Sequence, residues 1–221
     1  LELEINNLPI RKTKTFNFLG IIIINENLTW NDHITYISQK ITPVVGLLNR
    51  LKHQLPTRIL KMIYNSLILS RLHYGNILWG ANPGSLLKLN KRAIRAIVNA
   101  GSNIHANPIE KKLNLLSLPD VHQLKLLTLY KKIIDRKCPR NIQKMFDTIT
   151  TDKEPQGSRT KHYKDSPQFK LTEYLSTAPI ELISNAKGVN FFTFQKKVKT
   201  YIIERYSSLC TKVGCKACHL R

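Results

Sequence analysis

Few residues in this chain are of a type and spacing that could do chemistry. Cys210, Cys215, Cys218 and His219 close the sequence as Cys-x4-Cys-x2-Cys-His. Three thiolates at that spacing are zinc-type ligands, but a structural zinc takes four protein ligands. His219 is adjacent to Cys218 and sterically poor as the fourth, so His162 or Cys138 would have to complete the set. The expectation is a tail without metal, with Cys210, Cys215 and Cys218 as the candidate ligands should zinc bind. Cys215-Lys-Ala-Cys218-His219 also spells the c-type haem attachment pattern. No export signal accompanies it, and haem is not expected. The aspartates Asp32, Asp120, Asp135, Asp147, Asp152 and Asp165 stand singly. Two-metal phosphoryl transfer needs paired carboxylates to clamp its cations, and no Asp-Asp pair exists. We assign these residues to caps and solvated charges, and no residue to catalysis.

Binding chemistry is better supplied. The 221 residues include 35 Lys+Arg against 14 Asp+Glu, a net charge of +21. Such a surplus attracts polyanions, with nucleic acid as the first candidate and an anionic membrane surface as the second. Lys88, Lys91, Arg92 and Arg95 lie close to a common side of a helical segment that has no acidic residue. They are candidate phosphate contacts, which position a duplex without reading its sequence. The alternative is an ordinary solvated helix face. Tyr64, Tyr74, Trp79 and Tyr130 fall within apolar patterns and read as core rather than as base-stacking platforms. No apolar run reaches the roughly 20 residues of a membrane span, and no signal peptide is visible. The expectation is an intracellular protein with reduced cysteines.

The elements that must position these groups are mainly helical. Leu1–Ile5 and Leu8–Arg11 flank Asn6-Asn7, a hairpin turn by residue type. Phe16–Ile24 reads as one strand, because four consecutive isoleucines favour extended structure. It is apolar on both faces, so each face needs a cover. Ile34, Ile37, Ile41, Val44, Leu48 and Leu51 then trace a helical stripe, capped by Thr29 or Asn31 and kinked or broken at Pro43. A helix after Pro56 buries Ile59, Leu60, Ile63, Leu67 and Ile68. Others follow over 85–99 with Gly101 as the stop, over 108–113, over 120–136 with Asp120 as the cap, and over 139–146. Residues 148–169 read as loop, and a last helix starts near Asn190 with Phe191, Phe194, Val198, Tyr201 and Ile202 inward.

Several stretches together resemble one family. Phe18-Leu19-Gly20 with Leu28-Thr29-Trp30 and His33-Ile34 resembles the junction at which the primer-grip hairpin of non-LTR (LINE-type) retrotransposon reverse transcriptases passes into the thumb. Tyr74, Trp79 and Gly80 match a Tyr-x4-Trp-Gly element of those thumbs. Lys91-Arg92-Ala93-Ile94-Arg95, then Lys111-Lys112-Leu113-Asn114-Leu115-Leu116-Ser117-Leu118-Pro119-Asp120, and finally Phe191–Tyr201 follow in the family's order. The resemblance spans roughly residues 8–206.

The resemblance implies a mainly α helical bundle with a small N-terminal antiparallel β-hairpin element. Its divisions are a primer-grip-like element (1–30), a thumb-like domain (31–147), a loop- and linker-rich segment (148–189), and a C-terminal helix with the cysteine tail (190–221). It implies a C-terminal fragment of an RNA-directed DNA polymerase that lacks the catalytic carboxylates and is inactive alone. Its partners would be RNA, the RNA–DNA template–primer duplex, and the palm and fingers of the parent enzyme, in the nucleus or a cytoplasmic ribonucleoprotein. No cofactor is expected here, magnesium belonging to the intact polymerase. Phe18, Leu19 and Gly20 would press backbone against the primer strand. The plainer reading of those three is a buried strand whose glycine relieves a close contact. A non-enzymatic basic helical module for protein or ribonucleoprotein assembly is the alternative function.

Overall fold

The computed structural model describes residues 4–5, 8–9, 15–24, 29–146, 161–184 and 186–207. It is mainly helical with small antiparallel β pairs at the N-terminal end. Glu4–Ile5 (β1) pairs with Leu8–Pro9 (β2), Ile5 opposite Leu8; the expected turn at Asn6-Asn7 lies outside the described residues. Phe16–Ile24 is not one strand. Thr15–Phe18 (β3) folds back on Ile21–Ile24 (β4), with Phe18 opposite Ile21. Leu19 and Gly20 form the two-residue loop, with φ of 49° and 79°. Two positive-φ residues give the primed turn whose twist matches a hairpin. Unbroken apolarity hid this turn, because its first residue is Leu rather than Asn or Asp.

Helix α1 (Asn31–Leu51) buries His33, Ile34, Ile37, Ile41, Val45 and Leu48. Trp30, not Thr29 or Asn31, occupies its capping position. Pro43 does not break it. The proline is exposed, and so is Gln39, whose carbonyl loses its amide partner, so water can serve that carbonyl. Helix α2 (Thr57–Tyr64) runs through a π-helical turn, Asn65–Leu69, into α3 (Ser70–His73). The buried residues are Leu60, Tyr64, Ile68 and Leu72, each four apart. An α-helix would let that spacing drift around its axis, and the wider π turn keeps it in line. Ile59 and Leu67, expected inward, are therefore 38% and 39% exposed.

Helices α4 (Asn76–Trp79), α5 (Ser85–Ile97) and α6 (Ala106–Leu113) complete a first core with α1–α3. Asn99, not Gly101, stops α5. Its φ is 51°, and the amides of Asn99 and Ala100 return to the carbonyls of Ala96 and Arg95 at 3.2 and 2.9 Å.

A second core is built by α7 (Leu118–Ile134), α8 (Arg140–Phe146), α10 (Pro167–Thr177) and α12 (Phe191–Glu204), with short helices α9 (Lys161–Lys164) and α11 (Ile180–Ser184) between them. The helical run 31–147 thus contributes to two cores. Asp120 is not the cap of α7 but sits in its first turn, accepting from the Ser117 hydroxyl and from Tyr206 Oη at 2.5 Å. Packing on α4, α8, α10 and α12 buries α7 nearly all round, including His122, Gln123, Thr128 and Lys131. Residues 161–184, expected to be loop-rich, are largely helical and supply Leu171 and Leu175 to this core. The last helix begins as expected, Asn190 Oδ1 accepting from the Phe192 amide at 3.1 Å. Among the described residues no helix is long and apolar enough to cross a membrane.

Candidate nucleic-acid interface

Phe18, Leu19 and Gly20 lie together at the tip of the β3–β4 hairpin, and all three are exposed. The plainer expectation of a buried strand does not hold for them. Pairing puts Phe16, Phe18 and Ile21 on one face. The Phe16 and Phe18 rings stack 6.3 Å apart and are 56% and 55% exposed.

The tip is held down by the segment 74–79. Tyr74 Oη donates to the Leu19 carbonyl, and Trp79 Nε1 donates to the Tyr74 carbonyl at 3.0 Å. Gly75 has φ of 60°, and a Cβ there would lie 2.7 Å from Ile21 Cδ1. A side chain at that positive φ would be strained, and its Cβ would have to displace the end of the Ile21 side chain. His33 Nδ1 accepts from the Ile22 amide at 3.3 Å. The proton of neutral His33 therefore sits on Nε2, which has no hydrogen-bond partner among the described residues. Burial lowers the pKa of this ring and keeps it neutral. Trp79 is core, as expected, whereas Tyr74 is 52% exposed and acts as a strut. Tyr74→Phe removes a single hydrogen bond, worth about 0.5–1.5 kcal/mol. We expect the β3–β4 amides to exchange faster while α1 and α5 amides are unchanged. Unchanged exchange in the hairpin would mean the strut carries no load.

Beside the tip lies a cleft of about 470 Å³ lined by Gly20, His33, Tyr36, Lys40, Arg71 and Tyr74, among others. Lys40 Nζ stands 5.6 Å from the centre of the Tyr36 ring, and Arg71 Nη1 donates to the Lys40 carbonyl at 3.0 Å. Ser70 and Arg71 directly follow the π turn, a feature that recurs near functional sites. Sequence reading missed this cleft. Tyr36 and Lys40 were legible as an i,i+4 pair on the polar side of α1, but Arg71 joins them only through the packing of α3 on α1.

The cations of α5 divide into two pairs. Lys88 and Arg92 are exposed, four residues apart. Lys91 and Arg95 are half-buried and act electrostatically on Glu110 of α6. Arg95 Nε also donates to the Ile104 carbonyl at 2.6 Å. Thus two of the four expected phosphate contacts are engaged inside the fold. Glu110 is fully buried, its carboxyl oxygens lack hydrogen-bond partners among the described residues, and burial pushes its pKa up to about 7.

Cys210, Cys215, Cys218 and His219 lie outside the described residues. Among the described residues no group of three or more His, Cys, Asp or Glu side chains could hold a metal. No family model, no curated protein and no solved structure matches this chain.

Proposed function

We propose that this chain is the primer-grip and thumb portion of a non-LTR retrotransposon reverse transcriptase, and that it grips the template–primer duplex behind the polymerase active site. The single observation supporting this most is the hairpin whose tip is Phe18-Leu19-Gly20, exposed beside a cleft bearing Lys40 and Arg71. A primer grip needs a backbone turn presented to a strand, next to cations that neutralise its phosphates. Exposed Lys88 and Arg92 extend the basic surface along α5. No residue here is given a part in bond making, which falls to carboxylates this sequence does not contain.

The test is salt-dependent binding of an RNA–DNA duplex. Each neutralised phosphate releases counterions, giving a log–log slope of about −0.9 per contact on a B-form duplex. Replacing Lys40, Arg71, Lys88 and Arg92 by Gln should flatten the slope by about 2 to 4. Replacing Lys91 and Arg95 should leave the slope nearly unchanged and lower stability instead. Equal slopes for wild type and the first variant would overturn the assignment of this surface. Salt-insensitive binding by the wild type would overturn the nucleic-acid reading and favour the assembly module.

A further inference from the structure

We propose a phosphate-binding site at the seam between the two cores, built from Lys61, Lys125, Lys199 and His73. The four side chains come from α2, α7, α12 and α3 and are brought together only by the packing of one core on the other. Lys61 Nζ donates to the Leu113 carbonyl at 2.6 Å, and Lys199 Nζ donates to the Asn114 carbonyl at 3.0 Å. Two ammonium groups thus converge on consecutive carbonyls at the end of α6. Lys125 Nζ donates to the His73 carbonyl, which places a third cation beside the same histidine. All four side chains are half-buried, so each keeps some access to solvent.

Among the described residues no carboxylate lies within ion-pair distance of this cluster's lysines. The ion pairs among the described residues join Lys131 and Lys137 to Asp135 and Lys170 to Glu173, and none involves the three seam lysines. Their proximity carries a cost. The Lys61 charge adds to burial in lowering the pKa of Lys199, and Lys125 and Lys199 both act against protonation of His73. His73 Nε2 is buried without a hydrogen-bond partner among the described residues. Helix-end capping explains one donor of each ammonium and leaves two on each unused. A small oxyanion fits what is left over: several donors, converging positive charge and no carboxylate. A phosphate group is the ligand class, either as a backbone phosphodiester or as free phosphate. The first source rests on the function proposed above, and the second does not.

The test uses the whole chain and two variants. Lys61→Gln/Lys199→Gln removes two charges and, with side chains one atom shorter, also weakens the bonds to the Leu113 and Asn114 carbonyls, so its phosphate response is read against its own Tm in sodium chloride. Lys61→Arg/Lys199→Arg keeps the charges. Thermal unfolding is followed against sodium phosphate, with sodium chloride at matched ionic strength as reference. We expect phosphate to raise Tm in the wild type and the Arg variant, and apparent phosphate affinity to fall at least tenfold in the Gln variant. In parallel, the salt slope for RNA–DNA duplex binding should flatten by about 1 to 2 in the Gln variant if the occupant is a phosphodiester. A phosphate effect with an unchanged duplex slope identifies free phosphate as the occupant. No phosphate effect on the wild type, together with an unchanged duplex slope, overturns the site. A chain that binds no duplex but responds to phosphate overturns the proposed function and leaves the seam site standing.

Discussion

Trp79→Ala should destabilise the chain by about 3–5 kcal/mol, the range for deleting a large buried aromatic side chain. Trp79 is fully buried in the first core. Its indole edge donates to the Tyr74 carbonyl, and its ring meets His33 edge-on at 5.8 Å. Those two neighbours are the ones that hold the β3–β4 hairpin, through the Leu19 carbonyl and the Ile22 amide. The loss should therefore extend beyond a cavity. Typical domain stability is only about 5–15 kcal/mol, so the denaturation midpoint should fall sharply and the hairpin amides should lose protection first. Trp79→Phe keeps most of the volume but removes the N–H donor, and should cost about 1–3 kcal/mol, mostly at the hairpin. A cost below about 1 kcal/mol by urea unfolding would contradict the burial of Trp79, and unchanged exchange of the β3–β4 amides in Trp79→Ala would show that hairpin and bundle are energetically separate.

The Tyr74–Trp79–Gly80 spacing was visible in the sequence, and its structural reason was not. Helical stripes on α1, α5 and α12 were legible because each keeps an exposed side opposite its buried one. The stripe of α7, Val121, Leu124, Leu127, Tyr130 and Ile134, was legible too and packs into the second core, but the burial of His122, Gln123, Thr128 and Lys131 on its other sides was not, because polar residues leave no apolar pattern. Helix α10 was obscured by Gln168, Lys170, Thr172 and Glu173, polar residues interleaved with Leu171 and Leu175. The π turn left only a weak trace, the four-residue spacing from Leu60 to Leu72.

The candidate site was half legible for a related reason. Charge can be counted from sequence, but whether a cation is free to meet phosphate depends on what it already holds. With few carboxylates available, backbone carbonyls take up part of the positive charge. Lys61, Arg71, Lys125, Arg95 and Lys199 each donate to a carbonyl distant in sequence or beyond the end of their own helix. Sequence placed Lys88, Lys91, Arg92 and Arg95 on one surface because Glu110 lies outside their segment. Only the packing of α6 on α5 brings that carboxylate against Lys91 and Arg95.

Glu110→Gln should stabilise the chain at neutral and alkaline pH by about 3–3.5 kcal/mol. Burial is the main reason the Glu110 carboxyl has a raised pKa of about 7. Lys91 and Arg95 oppose the shift, and Asp120 reinforces it. In the unfolded chain the group ionises near the ordinary glutamate value of 4.5. Between about pH 4.5 and 7 the folded state therefore holds the proton more tightly than the unfolded state. The stability this contributes is complete below 4.5 and lost as pH rises to 7, at about 1.4 kcal/mol per pKa unit. The glutamine variant lacks that dependence. Its Tm should match the wild type near pH 4.5, rise above it progressively, and hold a constant advantage beyond pH 7. His73 and His122 act in the opposite direction. Burial lowers both to about 4, so each stays neutral in the fold and favours unfolding as pH drops from 6.5 towards 4. Both histidines are present in both chains, so their effect cancels in the difference between variant and wild type. A difference that does not change between pH 4.5 and 7.5 would mean that Glu110 ionises normally, through water reaching its carboxylate or full pairing with Lys91 and Arg95. In the second case Lys91→Gln would unmask the shift, and the variant's Tm would then fall with rising pH.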